Sequence, residues 1–281
     1  MKKYVIQILL ICFTFSIFAT EKMTEDEQQI VVIVPTYNNN KFIRGIHVPL
    51  CIKNIDSLCQ QDYYNYHIVI IDDVSTDGTG DLLEEYIEKH TLWDRVTLIK
   101  NTTRVGALAN IYHAVHSYCD DMTIVVTFDG DDWAPHENVL SVVNKAYADP
   151  DVWLTYGQFV EYPWKSKPYC AEFPAEIIQE NKFREYRWEA SHLRTFRGFL
   201  FKAIQYEDLI YNGKFYQVTW DMAMMYPMLE MAGERHKYIE DILYVYNTIN
   251  PISDCKIYTD EQNECDEYIR ALPRYDRVAV C

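Results

Sequence analysis

From Ile30 onward, short apolar runs alternate with stretches whose apolar residues recur at helical spacing. The first run, Ile30-Val31-Val32-Ile33-Val34, is uninterrupted and rich in β-branched residues, the pattern of a strand covered on both faces. Pro35 ends it. The pattern then predicts a helix over Pro49 to Gln61, a strand over His67 to Ile71, a helix from about Thr79 to Lys89 and a strand from Val96 to Lys100. A helix from Ala107 to Tyr118 and a strand from Thr123 to Phe128 complete the series. Strands and helices in this alternation imply βαβ units, hence an α/β fold with a mainly parallel central sheet and helices on both faces. After about Gln158 the periodicity loosens, and Trp, Tyr, Phe, Pro and charges mix between Val160 and Arg187. Helical patterns return at Leu200 to Leu209 and Trp220 to Met231, followed by a short apolar strand, Ile242 to Tyr246.

In such a sheet, ligands bind beyond the carboxyl ends of the strands. Each of those ends carries polar residues here: Pro35-Thr36-Tyr37-Asn38, Asp72-Asp73-Val74-Ser75, Asn101 to Arg104, and Asp129 to Asp132. Any one of these turns could be a solvated loop. Four at one rim describe a site.

The 281 residues carry a formal net charge of −16, which argues against nucleic acid as a partner, since a phosphate backbone requires a Lys/Arg surface. A diphosphate ligand on so acidic a chain calls for a metal ion. Residues 1–20 combine Lys2-Lys3 with an apolar run from Val5 to Ala19, the parts of a signal peptide. Ile17 stands where a cleavage site expects a small residue, so an uncleaved signal anchor, giving a membrane tether, remains the alternative. In either case the positive flank places the rest of the chain outside or in a lumen. Residues 21–29 form a polar linker. Of eight cysteines, Cys12 lies in the leader, and the other seven show no zinc spacing. A Cys255–Cys265 bridge and buried free thiols are both open.

Asp129-Gly130-Asp131 directly follows the strand Val125-Val126-Thr127-Phe128. Two carboxylates flanking one small residue on a tight turn can face one cation, and hard oxygen ligands suit Mg²⁺ or Mn²⁺. Asp132 is a candidate cap for a helix beginning near Pro135, with Trp133 shielding the turn. At the end of the second strand, one of Asp72 and Asp73 can accept a hydrogen bond from a nucleobase imide, while Thr76 or Asp77 caps the next helix.

Four motifs in order, Val34-Pro35-Thr36-Tyr37-Asn38, Ile71-Asp72-Asp73-Val74-Ser75-Thr76-Asp77-Gly78-Thr79, Arg104-Val105-Gly106-Ala107-Leu108-Ala109-Asn110 and Asp129-Gly130-Asp131-Asp132-Trp133, closely resemble the family 2 glycosyltransferases of the GT-A fold. The resemblance is strong over roughly residues 30 to 160. It implies a Rossmann-like, metal-dependent, inverting enzyme that moves a sugar from a nucleotide-diphosphate sugar, expected to be UDP-linked, to a hydroxyl on a glycan, lipid or protein. Residues 30–158 would form the nucleotide-sugar half and 159–281 the acceptor-side, helical C-terminal region. On matching positions, Pro35, Thr36 and Tyr37 would line the nucleoside pocket, Asp73 would bind the base and Arg104 would lie near the diphosphate. Asp129 would contact ribose or metal, and Asp131 would be the principal metal ligand. The third motif departs from the family pattern, with Ala109-Asn110 where an arginine-asparagine pair is usual.

The family's general base is a carboxylate from the second half, near a helix start. Asp221, before the apolar Met-rich helix, is the first choice, with Glu240 and Asp241 as alternatives. His192, Arg194 and Arg197 are candidate phosphate or acceptor contacts, with structural roles favoured. A haloacid-dehalogenase-like phosphatase would carry its Asp-x-Asp pair after the first strand, whereas here it follows the fourth. A glycosyltransferase-like protein that binds nucleotide sugar without turnover is the other alternative.

Overall fold

The computed structural model describes residues 27–166, 170–252 and 258–279. The first half matches the expected order: β1 (Ile30–Thr36), α1 (Leu50–Cys59), β2 (Tyr66–Asp72), α2 (Thr79–Lys89), β3 (Val96–Lys100), α3 (Ala107–Tyr118) and β4 (Ile124–Thr127). The uninterrupted apolar runs have a direct cause. Val31, Ile33, Val69, Ile71 and Val125 enter one core together with Leu108, Ile111 and Val115 of α3. Their chain neighbours Ile30, Val32, Val34, Ile68, Ile70 and Val126 enter a second core with Ile55 and Leu58 of α1 and Leu83 and Ile87 of α2. Both faces of these strands are dry, and burial of each Val, Ile or Leu contributes about 1.5–3 kcal/mol.

The second half adds α4 (Val139–Ala146), β5 (Leu154–Tyr162), α5 (Ala175–Gln179), β6 (Arg194–Arg197), α6 (Gly198–Lys202), the hairpin β7 (Ile210–Tyr211) and β8 (Lys214–Phe215), α7 (Trp220–Ala232), β9 (His236–Asn247) and α8 (Thr259–Ala271). The seven-stranded sheet has the order β3-β2-β1-β4-β6-β5-β9. It is mainly parallel, as expected: β1 with β2 and β4, β2 with β3, and β5 with β9. Strand β6 alone opposes its partners β4 and β5. The reversal positions the site, because Arg194 at the start of β6 pairs with Thr127 at the end of β4. A residue that opens an antiparallel strand thus reaches the rim where β1, β2 and β4 end. Position 158 lies within β5, so that strand runs from one half of the chain into the other.

Three expectations in the second half need correction. The helix expected over Leu200 to Leu209 is two pieces, α6 and a 3-10 turn at Tyr206–Leu209. The amide of Ile204 already turns to Phe201, three residues back, and that of Gln205 donates to Tyr275 Oη at 2.9 Å instead of continuing the helix. The short strand at Ile242 to Tyr246 is the end of a twelve-residue one. Exposed Glu240, Asp241 and Ile242 break its alternation, and the ladder with β5 shifts register at Gly157 and Gln158. The helix after Asp132 begins only at Val139, with Asn138 at its N-cap.

Helix α7 is buried on all sides apart from Asp221, so its methionines are core. Its buried Glu230 accepts two hydrogen bonds from Arg184, 2.6 Å from Nε and 2.9 Å from Nη2, and a third from the Tyr275 amide at 3.0 Å. Arg184 also donates to the Ile269 carbonyl of α8 at 2.6 Å. One ion pair therefore ties α7, α8 and the segment before β6. Cys51, Cys59, Cys119 and Cys170 are free thiols, and burial pushes Cys51 up to about 12. Cys255, one half of the bridge considered above, lies outside the described residues, as does the N-terminal apolar segment. Among the described residues no helix is long and apolar enough to cross a membrane.

Candidate active site

The ends of β1, β2 and β4, the start of β6, the first turn of α7 and the N-terminal half of α8 enclose a cleft of about 530 Å³. At one end lie Pro35, Thr36, Tyr37, Asp73 and Arg104, five of the six residues expected around the nucleotide, with the sixth, Asp129, on the acidic turn. Their loops are laced together. Asn38, in the left-handed region at φ 54°, donates its amide to Ser75 Oγ at 2.8 Å and accepts from the Thr76 amide at 2.8 Å. Asp77 Oδ1 accepts from the Thr79 amide at 3.0 Å, but the N-cap of α2 is Gly78, in the left-handed region, and neither Thr76 nor Asp77. Buried Asp73 accepts from Asn101 Nδ2 at 2.9 Å, from the Val105 amide at 3.1 Å and from the Gly106 amide at 2.8 Å. Its carboxylate therefore shapes the loop that carries Arg104. The Arg104 guanidinium lies 3.7 Å from the centre of the Tyr37 ring, a cation–π contact, with Nε 4.0 Å from Asp73. In the departing third motif, Asn110 accepts from Asn101 Nδ2 at 2.8 Å and so buttresses the same loop.

The acidic turn forms the middle of the cleft. Gly130 sits so close to β1 that an added Cβ would lie 2.5 Å from Thr36 Cβ and 2.9 Å from its Cα. Asn54 of α1 donates to the carbonyls of Asp129 and Asp132 at 3.1 and 2.8 Å, fixing both arms of the turn. Asp129 and Asp131 line the cleft, whereas Asp132 points away from it. Asp132 is no helix cap: it is buried, accepting from Tyr244 Oη at 2.5 Å and from the Asn247 amide at 2.7 Å. Trp133 is buried, packed with Leu50 and Val245. Asp131 accepts from Asn250 Nδ2 at 2.6 Å. Burial raises Asp129 to about 7, with Arg194 opposing that shift and the charges of Asp131 and Asp221 adding to it. Three carboxylates thus share this space with one arginine.

Beyond the turn stand Arg194, Trp220 and Asp221. Arg194 Nη1 is 3.4 Å from Asp221 Oδ2, and its guanidinium lies 5.0 Å from the centre of the Trp220 ring. Asp221 is not the cap of α7 but part of its first turn, after Thr219 in a left-handed conformation at φ 55°. Glu240 and Asp241 lie exposed on β9 and do not line the cleft. Arg197 is committed elsewhere, donating to the Met122 carbonyl and to Gln28 Oε1, each at 2.7 Å. His192 does line the cleft, stacked on Tyr244 with ring centroids 4.2 Å apart, and burial depresses its pKa well below the ordinary value. Trp188, Asn250 and the α8 residues Gln262, Asn263 and Asp266 also line it without having been anticipated. No local motif marks any of them.

The sequence profile described as Glycosyl transferase family 2 matches residues 31–206. The chain belongs to that family. Its similarity to glycosyltransferase GlyA of Streptococcus pneumoniae serotype 4 is 26% identity over 247 residues, covering 84% of the chain and 32% of that protein. With polyprenol monophosphomannose synthase of Mycolicibacterium smegmatis it shares 27% over 145 residues, 49% of the chain and 50% of the synthase. The chain thus spans about a third to a half of the length of these relatives. Among solved structures, residues 1–349 of S. aureus TarS in complex with UDP-GlcNAc superimpose with a TM-score of 0.61 at 17% identity, over 86% of this chain and 65% of that one. The mannosyltransferase PcManGT from Pyrobaculum calidifontis, in complex with GDP-Man and Mn²⁺, gives 0.59 at 20% identity, over 95% of this chain and 73% of that one. The fold of this family 2 glycosyltransferase is therefore GT-A.

Among the described residues no group of three or more His, Cys, Asp and Glu side chains is gathered that could hold a metal alone. The crowded carboxylates nonetheless fit a hard cation that takes the rest of its shell from phosphate oxygens and water. Burial is the main cause of the raised Asp129 pKa, and the neighbouring charges of Asp131 and Asp221 add to it.

Proposed function

We propose that this protein transfers a sugar from a nucleotide-diphosphate sugar, UDP-linked, to an acceptor hydroxyl with inversion, using Mn²⁺ or Mg²⁺ at Asp131 and Asp129. What carries the reading is that Asp129, Asp131 and Asp221 share one cleft, with the motif-bearing loops at one end and the start of α7 at the other. Tyr37 and the Asp73-clamped loop hold the nucleoside, and Arg104 faces the diphosphate. Asp131 and Asp129 would hold the cation, which would supply neutralisation of the charge on the diphosphate. Asp221 accepts the proton of the attacking hydroxyl, and Arg194, 3.4 Å away, orients that carboxylate. Residues 30–158 serve the donor and 159–281 the acceptor. The N-terminal segment directs the protein outside or into a lumen, as a cleaved signal or an anchor, which N-terminal sequencing of the mature protein distinguishes.

Hydrolysis and transfer assays with a panel of UDP- and GDP-sugars and Mn²⁺ or Mg²⁺ test the reading. Asp131→Ala is expected to lower turnover by about 100-fold or more, the scale of a lost transition-state charge contact. Full activity in that variant or in EDTA overturns the metal assignment. A correctly folded wild type that binds donor and never turns it over overturns the catalytic one.

A further inference from the structure

The two ends of the cleft differ in charge chemistry, and the difference bears on the acceptor. Arg104 and Arg194 are the only lysine or arginine residues among the described ones that line it. Arg104 stands at the nucleotide end against Tyr37, and Arg194 is engaged with Asp221 and Trp220. Among the described residues, Trp188, Trp220, Gln262, Asn263 and Asp266 contribute to the far wall.

This wall is built, not incidental. Helix α8 buries Cys265 and Ile269, which turns Gln262, Asn263 and Asp266 toward the cleft. The helix is fastened by Arg270, whose Nη1 donates to the Arg184 and Tyr186 carbonyls at 2.7 Å each, and by the Arg184 bond to Ile269. Arg270 Nε also holds Asp266 at 2.7 Å. Arg270 is thus spent on protein groups and is not among the lining residues. Trp188 is half-buried and braced edge-on against Tyr226, with ring centroids 5.1 Å apart.

A phosphate-bearing acceptor entering here would lose its hydration next to Asp221 and Asp266, with no uncommitted lysine or arginine among the described lining residues to receive it, and like charges at close range repel strongly. A neutral pyranose meets the opposite conditions. Its C–H face can lie on an indole, and its hydroxyls find amide and carboxylate partners that a hydrocarbon wall would lack. Resting on the transferase reading above, we infer that the acceptor is an uncharged sugar, its ring seated on Trp188 and its hydroxyls held by Gln262, Asn263 and Asp266.

Binding tests this without relying on turnover. Saturation-transfer NMR on the intact protein, with chitotriose, maltotriose and mannotriose against a glycerol-phosphate trimer as probes, is expected to show contact with at least one neutral trisaccharide and none with the polyol phosphate. Trp188→Ala should weaken that binding at least tenfold and Trp188→Phe should restore most of it, with melting curves reporting that each variant is folded. In transfer assays, the same alanine variant should raise the acceptor KM at least tenfold and the donor KM less than threefold. Silence from all three sugars, preference for the polyol phosphate, or trisaccharide binding indifferent to Trp188→Ala overturns the inference. Donor hydrolysis with nucleotide sugars alone reports separately on the transferase reading, so failure of one is distinguished from failure of the other.

Discussion

The two ends of the cleft are made in different ways. The nucleotide end comes from consecutive strand-to-helix turns, each a few residues long, with partners nearby in the fold: Asn38 with Ser75 and Thr76, Asp73 with Val105 and Gly106. The far end is assembled from the segment before β6, the first turns of α7 and α8, and the stretch after β9. Its parts are held by the buried Arg184–Glu230 pair and by the reversed strand β6. The contrast suggests a division of labour, in which one end depends on local backbone shape and the other on long-range tethers.

The sharpest test of that division is Asp221→Asn. It keeps shape and removes the base, so transfer should fall by about 100- to 10,000-fold while donor KM holds, measured by steady-state kinetics at saturating acceptor. Unchanged transfer moves the role away from Asp221, although Glu240 and Asp241 stand exposed outside the cleft. Next in size is Glu230→Ala. It leaves the Arg184 guanidinium buried without its carboxylate, and loss of one partner of a buried pair costs about 3–5 kcal/mol. Denaturant unfolding should show that loss, with acceptor KM suffering more than donor KM in any protein that remains folded. An equal effect on both would dissolve the distinction between the ends.

Gly130→Ala probes the opposite end with a smaller perturbation. The new Cβ meets Thr36 backbone and side chain together, so the turn or β1 must shift, at an overpacking cost of about 1–3 kcal/mol. Donor KM should rise several-fold and acceptor KM should not follow. Normal donor affinity with a normal melting temperature would mean that the turn yields freely.

The same contrast explains what could be read from the chain. Apolar runs such as Ile30 to Val34 and the polar residues following them are contiguous, so β1 to β4 and the residues at Tyr37, Asp73, Arg104, Asp129 and Asp131 were legible, as was their sharing of one rim. Arg194 was noted only as a minor candidate, because nothing in Ser191-His192-Leu193-Arg194 announces an antiparallel strand that carries it to that rim. Asp132 looked like a cap because caps are local, whereas its partners Tyr244 and Asn247 lie over a hundred residues away. Gln262, Asn263 and Asp266 are ordinary polar residues on an ordinary helix. Only packing makes them a wall.

The smallest expected effect concerns protons on the scaffold of the far end. His236 opens β9, hydrogen-bonded through Nδ1 to the Gly233 carbonyl at 2.6 Å and surrounded by the rings of Tyr156, Phe173 and Phe183. Burial lowers its pKa below the ordinary 6.5, because charging the ring would strand a cation among aromatic side chains. A histidine depressed by folding binds fewer protons in the native state than in the unfolded chain. The stability it contributes is therefore complete above pH 6.5 and is lost as the pH falls from there through the lower native value. His192, also depressed by burial, adds to the same trend. Asp129, raised to about 7, gains stability over the same fall in pH and opposes the histidines, so the test is a difference: His236→Phe, which keeps a ring in place and removes the titration, should lose less melting temperature than wild type, or gain more, between pH 7 and pH 5. An unchanged slope in that variant would take His236 out of the acid response and leave the histidine share of it to His192 at the cleft and His67 on β2, moving the pH-labile scaffold away from the far wall.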